Sequence, residues 1–363
     1  MKNLSLIDKL VFILNSVFSI LLLVTYLAAF VSPGIFWPLA FFGLVYPFLL
    51  AINVLFAVYW LIKFKRQVLL PLIVIGCGWV QLTNFVQLGG SDATNEGFKV
   101  MSYNVRLFDL YNWSNNKQTR NKMFELVDEQ NADILCLQEF FYSEKKGYFN
   151  TLDTLIEFQK AKNYHTAYTA TKLKHNFGIA TLSKFPILYR GTVKLENAKN
   201  NICIYTDILV NTDTIRIYNM HLASVHLGKE NYEFIEHINS QETEEQIDGS
   251  KKIAELLKNA FVRRAKQSKT IATHIAQSPY HVVVCGDFND TPSSYAYRTI
   301  SKDLCDGFID SGSGIGASYN SSIPIFRIDY ILHDEGLCSS NFKTISEDLS
   351  DHFPITTTIS FME

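Results

Sequence analysis

Six short motifs, several of them at the ends of apolar runs, hold the side chains of this sequence that could do chemistry. Taken singly, each has an ordinary explanation, because an Asp before a turn is most often a cap and a lone His is most often structural. Together they form one ordered set of carboxylates, amides and two histidines. The motifs are Ser-Tyr-Asn-Val (102–105), Leu-Gln-Glu (137–139), Asn-Met-His-Leu (219–222), Gly-Asp-Phe-Asn-Asp-Thr-Pro (286–292), Arg-Ile-Asp-Tyr-Ile (327–331) and Ser-Asp-His-Phe-Pro (350–354).

The residue types in this set favour a hard divalent cation at the reactive centre. Carboxylate and amide oxygens are the ligands that suit Mg²⁺ and Mn²⁺. The sequence lacks the Cys and His spacing of a zinc site, and it lacks the Gly-rich loop and Lys of a P-loop. We therefore expect a Mg²⁺ (or Mn²⁺) cofactor.

Strands and helices must bring these motifs together. Apolar residues at spacings of three and four predict helices over 117–130 and 251–277. Strands interleaved with helices indicate an α/β fold, and chemistry in such folds gathers at the strand ends. The predicted strands are 98–104, 134–138, 178–183, 202–210, 214–221, 282–286, 328–332 and 355–359.

Composition separates an apolar segment from a charged domain. The chain has 363 residues, of which 48% are hydrophobic and 19% charged, and it has six cysteines. These values exclude a disordered chain and a disulfide-built scaffold. Residues 1–95 hold five basic and two acidic residues of the chain's 33 and 35, which leaves 28 and 33 for residues 96–363. The resulting formal charge of −5 on that part weakens the case for a broad DNA-binding face.

Residues 10–62 contain no Asp, Glu, Lys or Arg. Because a membrane span needs about 20 apolar residues, this run predicts spans at about 10–30 and 36–62. A weaker third span is predicted at 68–85, which contains Pro71, Gly76 and Gly78. We divide the chain into a transmembrane anchor (1–88), a linker (89–97) and a domain (98–363). A signal peptide or a buried core hairpin is less favoured, because both have shorter apolar runs.

Basic residues predict how the anchor is oriented. Lys2 and Lys9 precede the first span, and Lys63, Lys65 and Arg66 follow the second. Positively charged loops stay in the cytoplasm, so two spans between the clusters are self-consistent. If the third segment crosses, the domain of this integral membrane protein is periplasmic or otherwise extracytoplasmic. If the third segment does not cross, the domain is cytoplasmic.

The ordered motifs resemble the endonuclease/exonuclease/phosphatase superfamily, which has the deoxyribonuclease I-like fold. They extend over essentially the whole soluble domain. The resemblance implies a two-sheet α/β sandwich that hydrolyses phosphoesters with a divalent metal. The preceding helices, about three in number, lie outside the family core and are similar to those of membrane-tethered bacterial members.

The resemblance also assigns metal-binding residues. Glu139 matches the metal-ligand glutamate of the family, Asn104 matches the amide beside it, and Asp351 matches a residue often placed near the metal. Some nuclease members carry an acidic residue two positions after the first Asn, where this sequence has Arg106. Arg106 is therefore expected either to contact the substrate phosphate or to lie on the surface.

Five further residues match catalytic positions of the family. Asp287 and Asn289 match the pair that orients the attacking water and contacts the phosphate. His352 matches the histidine near the scissile phosphate, and Asp329 matches its carboxylate partner. His221 matches a second phosphate-facing histidine. Such groups have a physical use, because the negative charge of a phosphodiester must be offset before water attacks in line with the leaving oxygen.

The expected function is a membrane-anchored phosphoesterase acting on a phosphodiester, with nucleic acid or a phospholipid head group as substrate. The alternative is a catalytically silent receptor domain that uses the same fold for binding, although such a domain has no need of both Asp287 and His352. The expected partners are the lipid bilayer, through the N-terminal helices, and the substrate. No protein partner is predicted.

Three features outside the motifs carry weaker expectations. The polar segment 224–246 is either a substrate loop or a solvated insertion. Arg263 and Arg264 are expected to be surface charges on the long helix. Cys305 and Cys338 could form a disulfide if the domain is exported.

Overall fold

The computed structural model describes residues 4–90, 97–145, 147–196, 201–225, 243–321 and 325–362. Its strands are β1 (Phe98–Asn104), β2 (Ile134–Ser143), β3 (Asn163–Lys172), β4 (His175–Ser183), β5 (Ile187–Thr192), β6 (Ile202–Val210), β7 (Asp213–His221), β8 (His281–Asp287), β9 (Cys305–Asp306), β10 (Asp329–His333), β11 (Leu337–Thr344) and β12 (Ile355–Phe361). They form two six-stranded sheets, ordered β11-β12-β1-β2-β4-β3 and β5-β6-β7-β8-β10-β9.

Side-chain alternation along the strands explains why the two sheets stack. On β8, Val283 and Cys285 pack into the core between the sheets, whereas Val282 and Val284 pack against the helices behind the second sheet. Successive strand residues point to opposite faces, so a strand that is apolar at every position is covered on both sides. The predicted two-sheet α/β sandwich is confirmed.

Helices cover the outer face of each sheet. Helices α6 (Thr119–Gln130) and α7 (Thr151–Gln159) pack on the first sheet, through Met123 and Leu155 among others. The long helix α8 (Thr243–Ile275) and the short helix α9 (Tyr295–Ile300) pack on the second, through Ile271 and Tyr297. A last short helix, α10 (Gly307–Ser311), lies against β11.

The N-terminal part contains α1 (Leu6–Leu27), α2 (Pro33–Phe36), α3 (Pro38–Ile62), α4 (Leu69–Cys77) and α5 (Trp79–Phe85). Two of these helices, α1 and α3, are long and apolar enough to cross a membrane. They run side by side, and polar contacts join them near one end and near the middle of the pair. The Tyr59 hydroxyl donates to Asp8 Oδ1 at 2.7 Å, and the Ser19 hydroxyl donates to Asn53 Oδ1 at 2.9 Å.

The predicted third span is bent rather than straight. The segment Arg66–Cys77 and the helix Trp79–Phe85 meet at 72°, with the break at Gly78. A side chain at Gly78 would collide with the ring of Tyr26, since an added Cβ would lie 2.1 Å from a ring carbon. The described residues therefore contain two helices long and apolar enough to cross a membrane, or three spans if the bent pair is counted as one.

Most predicted elements are present, although α8 begins at Thr243, eight residues before its predicted start; the elements of the domain without a prediction are four strands and the short helices α7, α9 and α10. The strands β3, β5, β9 and β11 were not predicted, because they lack a long apolar run. The linker 89–97 and the polar segment 224–246 lie largely outside the described residues. Cys305 and Cys338 are both free thiols.

Candidate active site

Strand pairing brings the ends of four strands to one edge of the sandwich. In the first sheet β1 runs parallel to β2, which places Asn104 opposite Gln138, one residue before Glu139. In the second sheet β7 runs parallel to β8 and places His221 opposite Asp287. Antiparallel β10 begins at Asp329, also opposite Asp287. The carboxyl ends of parallel strands therefore meet as the α/β pattern predicts.

Asp287 is the centre of the site. Its Oδ2 accepts hydrogen bonds from Asn104 Nδ2 and Asn289 Nδ2, both at 3.0 Å. Its Oδ1 accepts from the Asn289 backbone N–H at 2.7 Å. His221 Nε2 lies 3.5 Å from Oδ2, and His352 Nε2 lies 3.7 Å from it. The bond from Asn104 joins the two sheets at the point where the two histidines converge.

A buried dyad orients His352. Its Nδ1 bonds to Asp329 Oδ2 at 2.9 Å, and the Asp329 backbone N–H donates to the Ser318 hydroxyl at 3.0 Å. Burial disfavours the imidazolium, but the carboxylates of Asp329 and Asp287 outweigh that effect and hold the pKa of His352 well above its ordinary value. His352 therefore presents a charged Nε2–H donor towards Asp287 at neutral pH.

Glu139 lies on a local distortion of β2. The ladder between β2 and β4 shifts register between Leu137 and Phe140, and Glu139 adopts a left-handed φ of 48°. A bulge of this kind re-aims one side chain, and bulges are common next to functional sites. The Glu139 carboxylate is 35% exposed, and its Oε1 lies 3.8 Å from His221 Nε2. The bulge thus points the Glu139 carboxylate towards the cavity that Asp287 and His352 share.

The donor set fits a hard divalent cation. Glu139 offers carboxylate oxygens at the open side of the cavity, and the amide of Asn104 lies on the neighbouring strand. His221 Nε2 is buried without a hydrogen-bond partner among the described residues, so it is available to a ligand. A second group of ligand atoms, on Asp287, Asp329 and His352, lies within 4.8 Å of one another. In that group, however, His352 is already hydrogen-bonded to Asp329. The oxygen donors at Glu139 are therefore the better match to Mg²⁺.

Arg106 and Asp351 form a pair at the rim. Arg106 Nε lies 3.2 Å from Asp351 Oδ2, and its guanidinium stacks on the Trp113 ring at 4.7 Å. The Ser350 hydroxyl also donates to Asp351 at 3.2 Å. The Asp351 carboxylate thus forms an ion pair with the Arg106 guanidinium. Arg106 also borders a second cavity of about 740 Å³ beside the site.

Arg264 is buried, so the prediction that it is a surface charge was wrong. Its Nε donates to Asp290 Oδ2 at 2.9 Å, its Nη1 donates to the Ala223 carbonyl at 2.7 Å, and only 1% of the residue is exposed. It therefore fixes the loop after β8, which carries Asn289. Two features of the sequence indicate that Arg264 is buried. It lies three residues after the apolar Phe261, on the same helix face, and the motif at 286–292 contains Asp290, an acidic residue without an assigned role.

A buried amide network beneath the site was also missed. Gln138 Nε2 donates to Asn219 Oδ1 at 2.8 Å, and Asn219 Nδ2 donates to the Ala180 carbonyl at 2.8 Å. Both amides are fully buried and connect the first sheet to the second. Their signal was present in the Leu-Gln-Glu and Asn-Met-His-Leu motifs, where each amide lies one or two residues from a site residue.

The sequence and the fold both match known proteins. The model of the Endonuclease/Exonuclease/phosphatase family matches residues 101–352, and that of a domain of unknown function matches residues 8–85. No curated protein matches the sequence significantly.

Three solved structures show the same fold at low identity. A mannosyl-6-phosphatase from Bacteroides thetaiotaomicron is 16% identical, with a TM-score of 0.54, over 73% of this chain and 100% of its own. The human Nocturnin catalytic domain with a bound sulfate anion is 16% identical, with a TM-score of 0.51, over 73% and 95%. A family protein from Leptotrichia buccalis is 17% identical, with a TM-score of 0.51, over 73% and 100%.

The matched range 101–352 holds all six motifs except the last two residues of the final one, and it is more than half of the chain. Homologues in this family are phosphoric ester hydrolases. The chain belongs to the Endonuclease/Exonuclease/phosphatase family.

Proposed function

We propose that this protein is a membrane-anchored, divalent-metal-dependent phosphoesterase that hydrolyses a phosphodiester by in-line attack of water. One observation carries the proposal. Asp287, with its two amide donors, meets the charged His352–Asp329 dyad beside the open carboxylate of Glu139. A base, a cationic donor and a metal ligand are the groups that attack on a phosphate anion requires.

The geometry supports a separate task for each residue. Asp287 Oδ2 is the acceptor for the proton of the attacking water, and Asn289 holds that carboxylate in place through two bonds. His352 donates from Nε2 to a phosphate oxygen, while Asp329 keeps its ring oriented. Held by Glu139 with Asn104 beside it, Mg²⁺ or Mn²⁺ would offset the charge of the phosphate. Arg106, paired with Asp351 at the rim, is placed for a flanking phosphate oxygen.

Glu139→Gln is expected to raise the Mg²⁺ concentration needed for half-maximal turnover by at least about 10- to 100-fold, the loss that follows removal of even a supporting residue. The measurement is a Mg²⁺ titration of bis(p-nitrophenyl) phosphate hydrolysis, together with direct Mn²⁺ binding. Glu157→Gln, on an exposed position of α7, is the matched control and should leave the titration unchanged. Full activity in EDTA would contradict metal dependence, and binding of the diester without any turnover would favour a silent receptor domain.

The contacts of the domain support an extracytoplasmic location. Arg298 stacks on Phe30 at 4.1 Å, and Lys258 lies 5.6 Å above the Trp37 ring. Both rings lie at the connection between α1 and α3, which is the end of the helix pair opposite the basic residues. Because those basic residues favour the cytoplasm, we place the domain on the other side of the membrane.

Reporter fusions after Glu363 test this topology. We expect alkaline phosphatase, which is active only outside the cytoplasm, to give signal. A green fluorescent protein fusion, which in bacteria fluoresces only inside, should stay dark. The reverse pattern would mean that the bent segment α4–α5 does not cross the membrane.

A further inference from the structure

The cavity that contains the catalytic groups has two unlike walls. It has a volume of about 420 Å³ and is bordered on one side by Glu139, Asp287 and His352. Its other side is apolar and includes Leu44, Phe261 and Phe326. Water and a metal-bound phosphate need only the first wall. The second wall indicates that the substrate also has an apolar part, which this surface would cover.

Leu44 does not belong to the catalytic domain, because it lies on the transmembrane helix α3. Neighbouring residues hold that helix against the domain: Phe41 contacts Phe261 with ring centroids 5.5 Å apart, and Phe48 contacts Phe326 at 6.3 Å. Positions 41, 44 and 48 lie on one face of a helix. The wall is therefore a packed interface in which Leu44 is the residue that faces the site.

The backbone of α3 also approaches the domain closely. A side chain at Gly43 would meet the Ser293 carbonyl oxygen at 3.1 Å, so the glycine permits this contact. A second contact involves α5, because Arg327 Nη2 donates to the carbonyl of Asn84, at the end of that helix, at 2.8 Å. Both α3 and the end of α5 are thus attached to the domain, and these attachments hold the cavity beside the helices.

Helix length places Leu44 at the surface of the bilayer. Ile62 is the last residue before the basic cluster that begins at Lys63. From Leu44 to Ile62 the helix rises by about 27 Å at 1.5 Å per residue, close to the hydrocarbon thickness of about 30 Å. Leu55 on this stretch is 68% exposed, as a lipid-facing residue should be. The cavity therefore opens at the head-group level of the leaflet remote from the basic cluster.

We propose that the substrate is a membrane lipid with a phosphodiester head group, which reaches the site along α3. This proposal rests on the phosphoesterase function proposed above. Water forms a bond to phosphorus, one ester P–O bond breaks, and the released alkoxide oxygen takes up a proton to leave as an alcohol. The phosphate lies between Glu139 and His352, while the first carbons of the lipid lie on Leu44.

Nucleic acid fits this arrangement less well. Cleavage within a polymer requires the chain to extend on both sides of the reacting phosphate, whereas α3 lies along one side of the cavity. The domain also has a formal charge of −5 over residues 96–363, which does not favour a long polyanion.

The test uses the full-length protein in proteoliposomes, with three substrates. The first is a mixture of phosphatidylcholine, phosphatidylethanolamine, phosphatidylglycerol and sphingomyelin in the bilayer, followed by release of diacylglycerol, ceramide or head group. The second is soluble bis(p-nitrophenyl) phosphate, and the third is a single-stranded oligonucleotide. We expect Mg²⁺-dependent turnover of at least one bilayer lipid, at a higher kcat/KM than for the oligonucleotide.

Leu44→Asn tests the route along α3. It removes the apolar contact without filling the cavity, so we expect the ratio of lipid to soluble-diester kcat/KM to fall about tenfold or more. Val45→Asn places the same polar group at the same depth on the exposed side of α3, and the ratio should stay within about twofold of wild type. Thermal unfolding of each variant serves as the folding control.

The possible outcomes separate the two proposals. Hydrolysis of the soluble diester or the oligonucleotide without hydrolysis of any bilayer lipid would overturn the lipid proposal and leave the phosphoesterase function standing. No turnover of any of the three substrates would overturn the function itself. Equal ratios in Leu44→Asn and Val45→Asn would show that α3 does not guide the substrate.

Discussion

Asp287→Asn is expected to lower kcat by about 10²- to 10⁴-fold, the range that general base catalysis contributes. The substitution keeps the size of the side chain and removes its negative charge. The bonds from Asn104 and Asn289 to Oδ2 show that this oxygen is positioned by two donors, and both histidines are aimed at it. Without the carboxylate, the proton of the attacking water has no acceptor at this position.

Single-turnover kinetics on bis(p-nitrophenyl) phosphate measure this effect. Asp213→Asn, at the exposed start of β7, is the matched control and should retain wild-type kcat. Because Asp287 is 1% exposed, thermal unfolding of each variant must be followed alongside activity. A folded Asp287→Asn protein that keeps more than about a tenth of wild-type kcat would show that another residue is the general base.

Local sequence was sufficient to predict which side chains meet at one edge of the sandwich, wherever a strand end fixed their position. Asn104, His221 and Asp287 end apolar strands, and parallel pairing aligns two of those ends, whereas Asp329 begins the antiparallel strand β10 opposite Asp287. Glu139 was identified through its motif, but the bulge that points its side chain towards the cavity was not predicted. The reason is that a register shift depends on how β2 pairs with β4, which no single run of residues encodes.

Long-range packing explains what sequence did not reveal. Arg264 looks like a surface charge on its helix, and only the folded loop after β8 supplies Asp290 as its buried partner. Leu44 is one of many apolar residues in an uncharged run, and nothing in that run distinguishes it from Val45. Its position beside Glu139, Asp287 and His352 results from the packing of α3 on the domain, a contact between residues far apart in the sequence.

His352→Ala is expected to lower kcat/KM by about 10²- to 10³-fold, the loss typical when one donor to a developing anion is removed. The pH profile tests the reason for the loss. Because neighbouring carboxylates raise the pKa of His352, its imidazolium persists at neutral pH, and activity should fall only as pH rises through that elevated pKa.

Asp329→Asn tests whether the positive charge of His352 is needed, because the variant keeps the imidazole ring in the protein. The variant retains the ring but removes the carboxylate that binds Nδ1 at 2.9 Å, so the pKa of His352 should fall and the alkaline limb of kcat/KM should move to lower pH. Asp310→Asn is the matched control, because Asp310 bonds to His333, outside the cavity, and should leave the limb in place. An alkaline limb that does not move in Asp329→Asn would mean that another group titrates there, and that the dyad only positions the ring. A shifted limb would identify the charged His352 as the group that stabilises the phosphate.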